Sequence, residues 1–135
     1  MRNRPIPEGL EDPMIEAVVH RFYGRVRRDP VLGPVFNGAV ADWDAHLQKL
    51  AGFWSSVMLR SGRYAGNPMA AHLRHQDVIT PAMFDRWLAL WSEVTAEMLP
   101  DAAARAMQGR AAMIAESLKL ALFFDLPSRP ANVDA

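Results

Sequence analysis

The sequence predicts an all-α protein, and three observations carry that prediction. Apolar residues recur at intervals of three and four along four separate stretches, the spacing that gathers them on one face of an α-helix. No stretch alternates apolar and polar residues in the manner of a half-buried strand, and no internal repeat is present. Proline and glycine, ten and eight of 135 residues, cluster at the borders of the periodic stretches and divide the chain into helices. At this length a single domain is expected, spanning residues 1–126, with a disordered tail over 127–135.

Asp12-Pro13 reads as a capping carboxylate followed by proline at the first helical position. Ile15, Val18, Val19, Phe22, Tyr23 and Val26 then define the inner face of a first helix that ends near Arg28. Asp29-Pro30 and Gly33-Pro34 break up the following stretch, so Leu32, Val35 and Phe36 are expected in a tight corner rather than a regular element, with Phe36 turned inward. Asp42 caps a second helix with the apolar face Trp43, Leu47, Leu50, Phe53, Trp54 and Val57, which stops by Ser61-Gly62; His46 falls on that face. From Gly62 to Gln76 the periodicity lapses, and a loop with at most a short helix is expected, long enough to carry function. Thr80-Pro81 starts a third helix bearing Phe84, Trp87, Leu88, Trp91, Val94 and Met98, which Pro100 ends. Asp101 precedes a fourth, with Met107, Ile114, Leu118 and Leu122 as its buried stripe and alanines that permit close packing.

Composition excludes several chemistries. Without cysteine there are no disulfides, thiolate zinc sites, iron–sulfur clusters or covalently attached haem. Fifteen basic residues balance fifteen acidic ones, so no overall field favours nucleic acid or anionic lipid, and neither partner is expected. No apolar run reaches the roughly 18 residues that cross a bilayer, and the first residues are polar, which points to a cytoplasmic protein.

The four histidines are then the strongest transition-metal ligands available. On spacing alone, His46 is as well explained as a core histidine satisfied by a carbonyl, and His72 as an exposed loop residue. His72 and His75, three apart, would share a helix face, yet no carboxylate pair or His-Glu-x-x-His pattern supports a zinc enzyme. His20 sits at the edge of the first helix. Tyr23 is surrounded by core positions, so its hydroxyl needs a partner or a ligand if buried. Taken singly, Trp43, Trp54, Trp87 and Trp91 are each more often core than cofactor wall. There is no glycine-rich phosphate loop and no nucleophile motif.

Taken in order, however, Phe22-Tyr23, the run Asp29 to Phe36, Trp43-Asp44-Ala45-His46, Phe53-Trp54, Tyr64 to Pro68, His72-Leu73 and Phe84 to Leu88 resemble the third group of the truncated haemoglobins. The resemblance covers about residue 13 to about residue 122. It implies a truncated globin, a two-over-two helical sandwich around one haem b, in which the four helices correspond to globin helices B, E, G and H. It also implies that His72 is the proximal iron ligand, with its second ring nitrogen oriented by a hydrogen bond that tunes its basicity. Tyr23, His46 and Trp87 take the distal positions. A phenol O–H or indole N–H aimed at the negative outer atom of bound O2 in a dry pocket slows its loss. His46 donates as well, gates the pocket, or binds iron itself; the sequence leaves the three open. Phe22, Phe36, Leu50, Phe53, Trp54, Tyr64, Leu73, Leu88 and Ile114 are expected around the haem, with Lys49 and Arg74 beside its propionates.

The implied function is reversible binding of O2 and other diatomic ligands, CO and nitric oxide among them, of the kind used in oxygen binding and transport. The alternative is a haem enzyme for nitric oxide dioxygenation or peroxide chemistry. Because this chain carries no flavin or nicotinamide domain, that alternative requires a separate reductase.

Overall fold

The computed structural model describes residues 6–64, 66, 72, 75 and 77–123. Among these residues there are five helices and no strand: α1 (Asp12–Arg28), α2 (Leu32–Ala39), α3 (Trp43–Leu59), α4 (Pro81–Met98) and α5 (Asp101–Phe123).

α1 begins one residue earlier than its proline alone dictates. Glu11 is the extended residue that precedes the first turn, and Asp12 is already helical. Its carboxylate does not cap; it accepts a 2.8 Å bond from Arg63, tying the start of α1 to the chain beyond α3. Ile15, Val18, Val19, Phe22, Tyr23 and Val26 are buried, and Arg25, Arg27 and Arg28 complement the carbonyl end of the helix dipole.

The corner expected over 29–36 is instead a helix, α2, of eight residues. Pro34 is the third residue of that helix, where its missing N–H would have had no intrahelical acceptor in any case. Asp29 supplies the start: its Oδ2 accepts from the N–H groups of Val31 (3.0 Å) and Leu32 (2.9 Å), and its Oδ1 takes Arg86 of α4 at 2.6 Å and 2.9 Å. Gly33 is required by close approach, because a Cβ there would stand 2.8 Å from the Arg27 carbonyl oxygen.

α3 has the cap its sequence announces, with Asp42 Oδ1 accepting from the Ala45 N–H. It closes through Arg60 in the left-handed region (φ 58°), and Gly62 (φ 74°) completes the turn. α4 starts at Pro81 after an extended Thr80, as expected, although the Thr80 hydroxyl makes no capping bond. In α5 the buried stripe is Ala103, Ala104, Met107, Ala111, Ala115, Leu118 and Leu122, with Ile114 half-buried at its margin. The alanines let α5 lie close on α4, where the Trp91 indole donates to the Met107 carbonyl at 3.2 Å and the Thr95 hydroxyl to the Trp91 carbonyl at 2.8 Å.

The helices form two pairs, α1 on α3 and α4 on α5, and the pairs meet where α1 packs on α4; α2 is wedged against α1 and α4. This is the two-over-two arrangement of a truncated globin. Phe22, Trp54 and Trp91 lie at its centre, wholly enclosed. Burying an indole removes 150–250 Å² from water, a gross contribution of about 4–6 kcal/mol each. Among the described residues no helix is long and apolar enough to cross a membrane. The expected tail over 127–135 lies outside the described residues.

Candidate functional site

Tyr23 is the residue around which the other groups converge. It lies on the inner face of α1, 3% exposed, where a lone hydroxyl is costly unless partnered. Burial pushes its pKa up to about 12, and the nearby Trp87 side chain of α4 opposes that rise. The phenol therefore stays protonated and keeps a donor. Its ring is held from three sides: Phe22 edge-on at 4.6 Å, Phe36 of α2 at 5.8 Å, and Trp43 of α3 at 6.1 Å.

His46 enters from α3, its ring perpendicular to Tyr23 at 6.4 Å and to Trp43 at 5.7 Å. It is half-buried, and its pKa is held below the usual histidine value first by that burial, then by the charges of Lys49 and His72. The imidazole is neutral at pH 7, so one ring nitrogen donates and the other accepts. Trp43 is braced in turn by the Arg27 guanidinium, 4.6 Å from its ring centre. Lys49 is exposed and, besides reaching His46, lines a groove with Glu16, His20 and Arg63 between α1 and α3.

His72 is half-buried and helical, and near enough to His46 to depress its pKa. The His75 N–H bonds the His72 carbonyl at 3.0 Å, and the Val78 N–H bonds the His75 carbonyl at 3.0 Å, so the chain turns tightly before α4. Leu73 and Arg74, both expected near the haem, lie outside the described residues. Tyr64 sits edge-on to Phe53 at 5.2 Å, anchored by its N–H to the Ser56 hydroxyl at 2.8 Å.

The remaining residues expected around the haem divide into two layers. Phe22 and Trp54 are sealed in the centre. Phe36, Leu50, Phe53, Leu88 and Ile114 pack on that centre yet keep part of their surface open, as Trp43, Val57 and Trp87 do. A half-covered apolar rim beside a protonated phenol, an indole donor and two imidazoles fits haem: a flat apolar macrocycle covers the rim, and an imidazole is the one ligand type it lacks. A bare ion fits less well, since no group of three or more ligating side chains gathers among the described residues.

Sequence reasoning did not find the Asp29–Arg86 pair that fixes α2, because 57 residues separate its members. Spacing and motif place Trp43 three residues before His46, but its packing against both Tyr23 (6.1 Å) and His46 (5.7 Å) is visible only in the fold. Taken together the four tryptophans suggest a large flat cavity or simply bulk in a small core, and neither expectation contains the stack of Trp54 on Trp91 (4.6 Å, 20°) and of Trp91 with Trp87 (5.9 Å, 2°).

Two clasped helix pairs with an imidazole-bearing apolar cleft define a haem globin. A family model of bacterial-like globins matches residues 9–117, and the chain belongs to that family. It is 30% identical over 120 residues to the group 3 truncated hemoglobin ctb of Campylobacter jejuni, covering 86% of this chain and 94% of that protein. The crystal structure of the group III truncated hemoglobin from Campylobacter jejuni superposes with a TM-score of 0.78 at 29% identity, over 88% of this chain and 96% of that one. Sequence and fold together place the chain among the group III truncated haemoglobins.

Proposed function

We propose that this chain binds one haem b through His72 and holds O2 reversibly against Tyr23, Trp87 and His46. The observation that carries the reading is the convergence on one buried phenol: Tyr23 of α1, 3% exposed and kept protonated by its burial, faces the His46 ring of α3 at 6.4 Å and lies near the Trp87 indole of α4. When bound, the haem supplies a ferrous iron that takes up O2, CO or nitric oxide. The chain supplies the rest. Phe36, Leu50, Phe53, Leu88 and Ile114 exclude water, which strengthens every polar contact inside the cleft. Tyr23 and Trp87 each carry a donor, a phenol O–H and an indole N–H, for an acceptor that enters, and such contacts are stronger at low dielectric. His46, kept neutral, adds a donor or an acceptor without placing a charge in the cleft.

The relatives named as truncated hemoglobins support the haem, and the absence of cysteine makes its attachment non-covalent. The alternative chemistry, nitric oxide dioxygenation or peroxide reduction with an external reductase, uses the same groups. Three polar side chains around one small ligand are more than a carrier requires, and this is what favours keeping it as a second reading.

The test is the absorption spectrum of the purified chain supplied with haem, recorded ferric, after reduction, and after addition of CO. A haem spectrum that shifts cleanly to a CO form supports the reading. A colourless protein, or a reduced spectrum that CO leaves unchanged, overturns it.

A further inference from the structure

The interior holds a continuous file of oxidisable rings. Trp87, at the candidate distal site, lies parallel to Trp91 with ring centres 5.9 Å apart, and Trp91 stacks on Trp54 at 4.6 Å. Trp54 meets Phe53 edge-on at 5.6 Å, and Phe53 meets Tyr64 edge-on at 5.2 Å. Three indoles and one phenol, joined through a single phenylalanine, thus run from half-buried Trp87 in the first half of α4 across the core to the chain just beyond α3. We propose that this file is an electron relay, carrying electrons inward from Tyr64 to the haem pocket when a hydroperoxide is reduced there.

The environments of the rings set the direction. Trp91 is fully buried and Trp54 is 2% exposed. The Trp91 indole N–H meets only the neutral Met107 carbonyl, at 3.2 Å, which is too weak a base to take its proton. An oxidised Trp91 therefore keeps a positive charge in an apolar interior, an unfavourable state that a neighbouring donor relieves. Tyr64 is only partly buried, so its phenol can release a proton to solvent on oxidation and rest as a neutral radical. Phe53 is not oxidised; it bridges Trp54 and Tyr64. The far end is also built. The Ser55 and Ser61 hydroxyls bond at 2.7 Å and the Tyr64 N–H bonds Ser56, which folds the chain back onto α3. A Cβ on Gly66 would lie 2.5 Å from the Tyr64 hydroxyl, so glycine at 66 leaves the room in which that ring lies.

The balance is complete with a phenolic donor in solution. Reduction of ROOH to ROH and water takes two electrons and two protons. Each electron leaves Tyr64 with release of its phenol proton, and ArOH returns a hydrogen atom to the tyrosyl radical, becoming ArO•. Over two passes, ROOH and two ArOH give ROH, H2O and two ArO•.

The inference rests on the second reading above, peroxide reduction at the haem, with a small phenol in solution taking the place of the reductase, and one experiment separates the two. The haem-loaded ferric chain is mixed with hydrogen peroxide and a nitroso spin trap, and the adduct is located by peptide mass spectrometry. The expected adduct is on Tyr64. Trp91→Phe and Trp54→Phe abolish it and leave adducts on Trp87 or Tyr23. An adduct confined to Tyr23 or Trp87 in the parent chain overturns the relay, as does a Tyr64 adduct that persists in folded Trp91→Phe and Trp54→Phe. If one core variant fails to fold, the other still decides, since each interrupts the same file. A chain that takes up no haem fails the functional reading, and the relay with it, by its colourless spectrum; a haem-loaded chain without the Tyr64 radical fails the relay alone.

Discussion

Tyr23→Phe is the most informative single change, since it removes one oxygen from a ring whose packing is otherwise retained. Phe22, Phe36 and Trp43 contact the ring faces and edges, not the hydroxyl, so the phenylalanine keeps its place. What is lost is the donor to the ligand. A hydrogen bond to a charged acceptor is worth about 1.5–3 kcal/mol. At 1.4 kcal/mol per tenfold, O2 dissociation should quicken by a factor between about 10 and 150.

The answer is expected toward the lower end of that range, because Trp87 keeps its own indole N–H and its packing against Phe22 and Trp91 in the variant. Trp87→Phe should therefore have the smaller effect alone, and the double variant should lose more than the sum of the two, the signature of one network. The assay is stopped-flow displacement of O2 by CO, with the CO spectrum of each variant checking that the haem is retained. A Tyr23→Phe rate within about threefold of the parent, equivalent to about 0.6 kcal/mol, refutes the donor role.

Three further outcomes are expected. His72→Ala should lose most of its haem on gel filtration while His75→Ala keeps it; the reverse result transfers the proximal role to His75. Gly33→Ala drives a Cβ to 2.8 Å from the Arg27 carbonyl oxygen and should destabilise the fold by about 1–3 kcal/mol in urea, and an unchanged midpoint would show that α2 yields freely. Asp29→Ala removes Oδ2, the single acceptor shared by the Val31 and Leu32 N–H groups, and should cost about 2–4 kcal/mol. The pH dependence of that cost has a definite sign: Arg86, together with the two N–H groups, holds the Asp29 pKa below the ordinary carboxylate value of 3.8. Its contribution is therefore complete above the unfolded pKa and lost as pH falls through the folded one. Parent and Asp29→Ala stabilities should stay apart at neutral pH and converge in acid; a gap independent of pH removes Asp29 from acid unfolding.

The legible parts of the sequence were those governed by local spacing. The faces of α1, α3, α4 and α5 repeat at helical intervals, and Asp42 caps α3 as its position announces. α2 is hidden in the sequence because Gly33 and Pro34 read as breakers, although Leu32, Val35 and Phe36 stand at helical spacing and proline is tolerated in a first turn. Tyr23, His46 and Trp87 could be picked out individually, yet no local rule says that a residue of α1, one of α3 and one of α4 meet. Nor could periodicity separate Phe22 and Trp54, sealed within, from Phe36 and Phe53, which stay partly open. Both kinds of residue occupy inner helix faces, and the division between them depends on how deeply one helix pair sinks into the other.

That division explains why so short a chain can support a polar cleft at all. A buried phenol, a half-buried imidazole and an indole N–H each tend to draw water in or to turn toward other partners. Here each is fixed by rings that belong to a different helix. Tyr23 of α1 is held by Phe36 of α2 and Trp43 of α3, and Trp87 of α4 by Phe22 of α1, perpendicular at 5.5 Å. α2 is held by Asp29, which is itself pinned to α4 through Arg86. The orientation of the Tyr23 hydroxyl is thus set by contacts that close only when both helix pairs are in place. It follows that Asp29→Ala, remote from any ligand, should disturb O2 dissociation as well as stability, because Phe36 loses its footing against Tyr23. If Asp29→Ala is less stable but releases O2 at the parental rate, α2 is a structural brace only, and the alignment of Tyr23 rests on α1, α3 and α4.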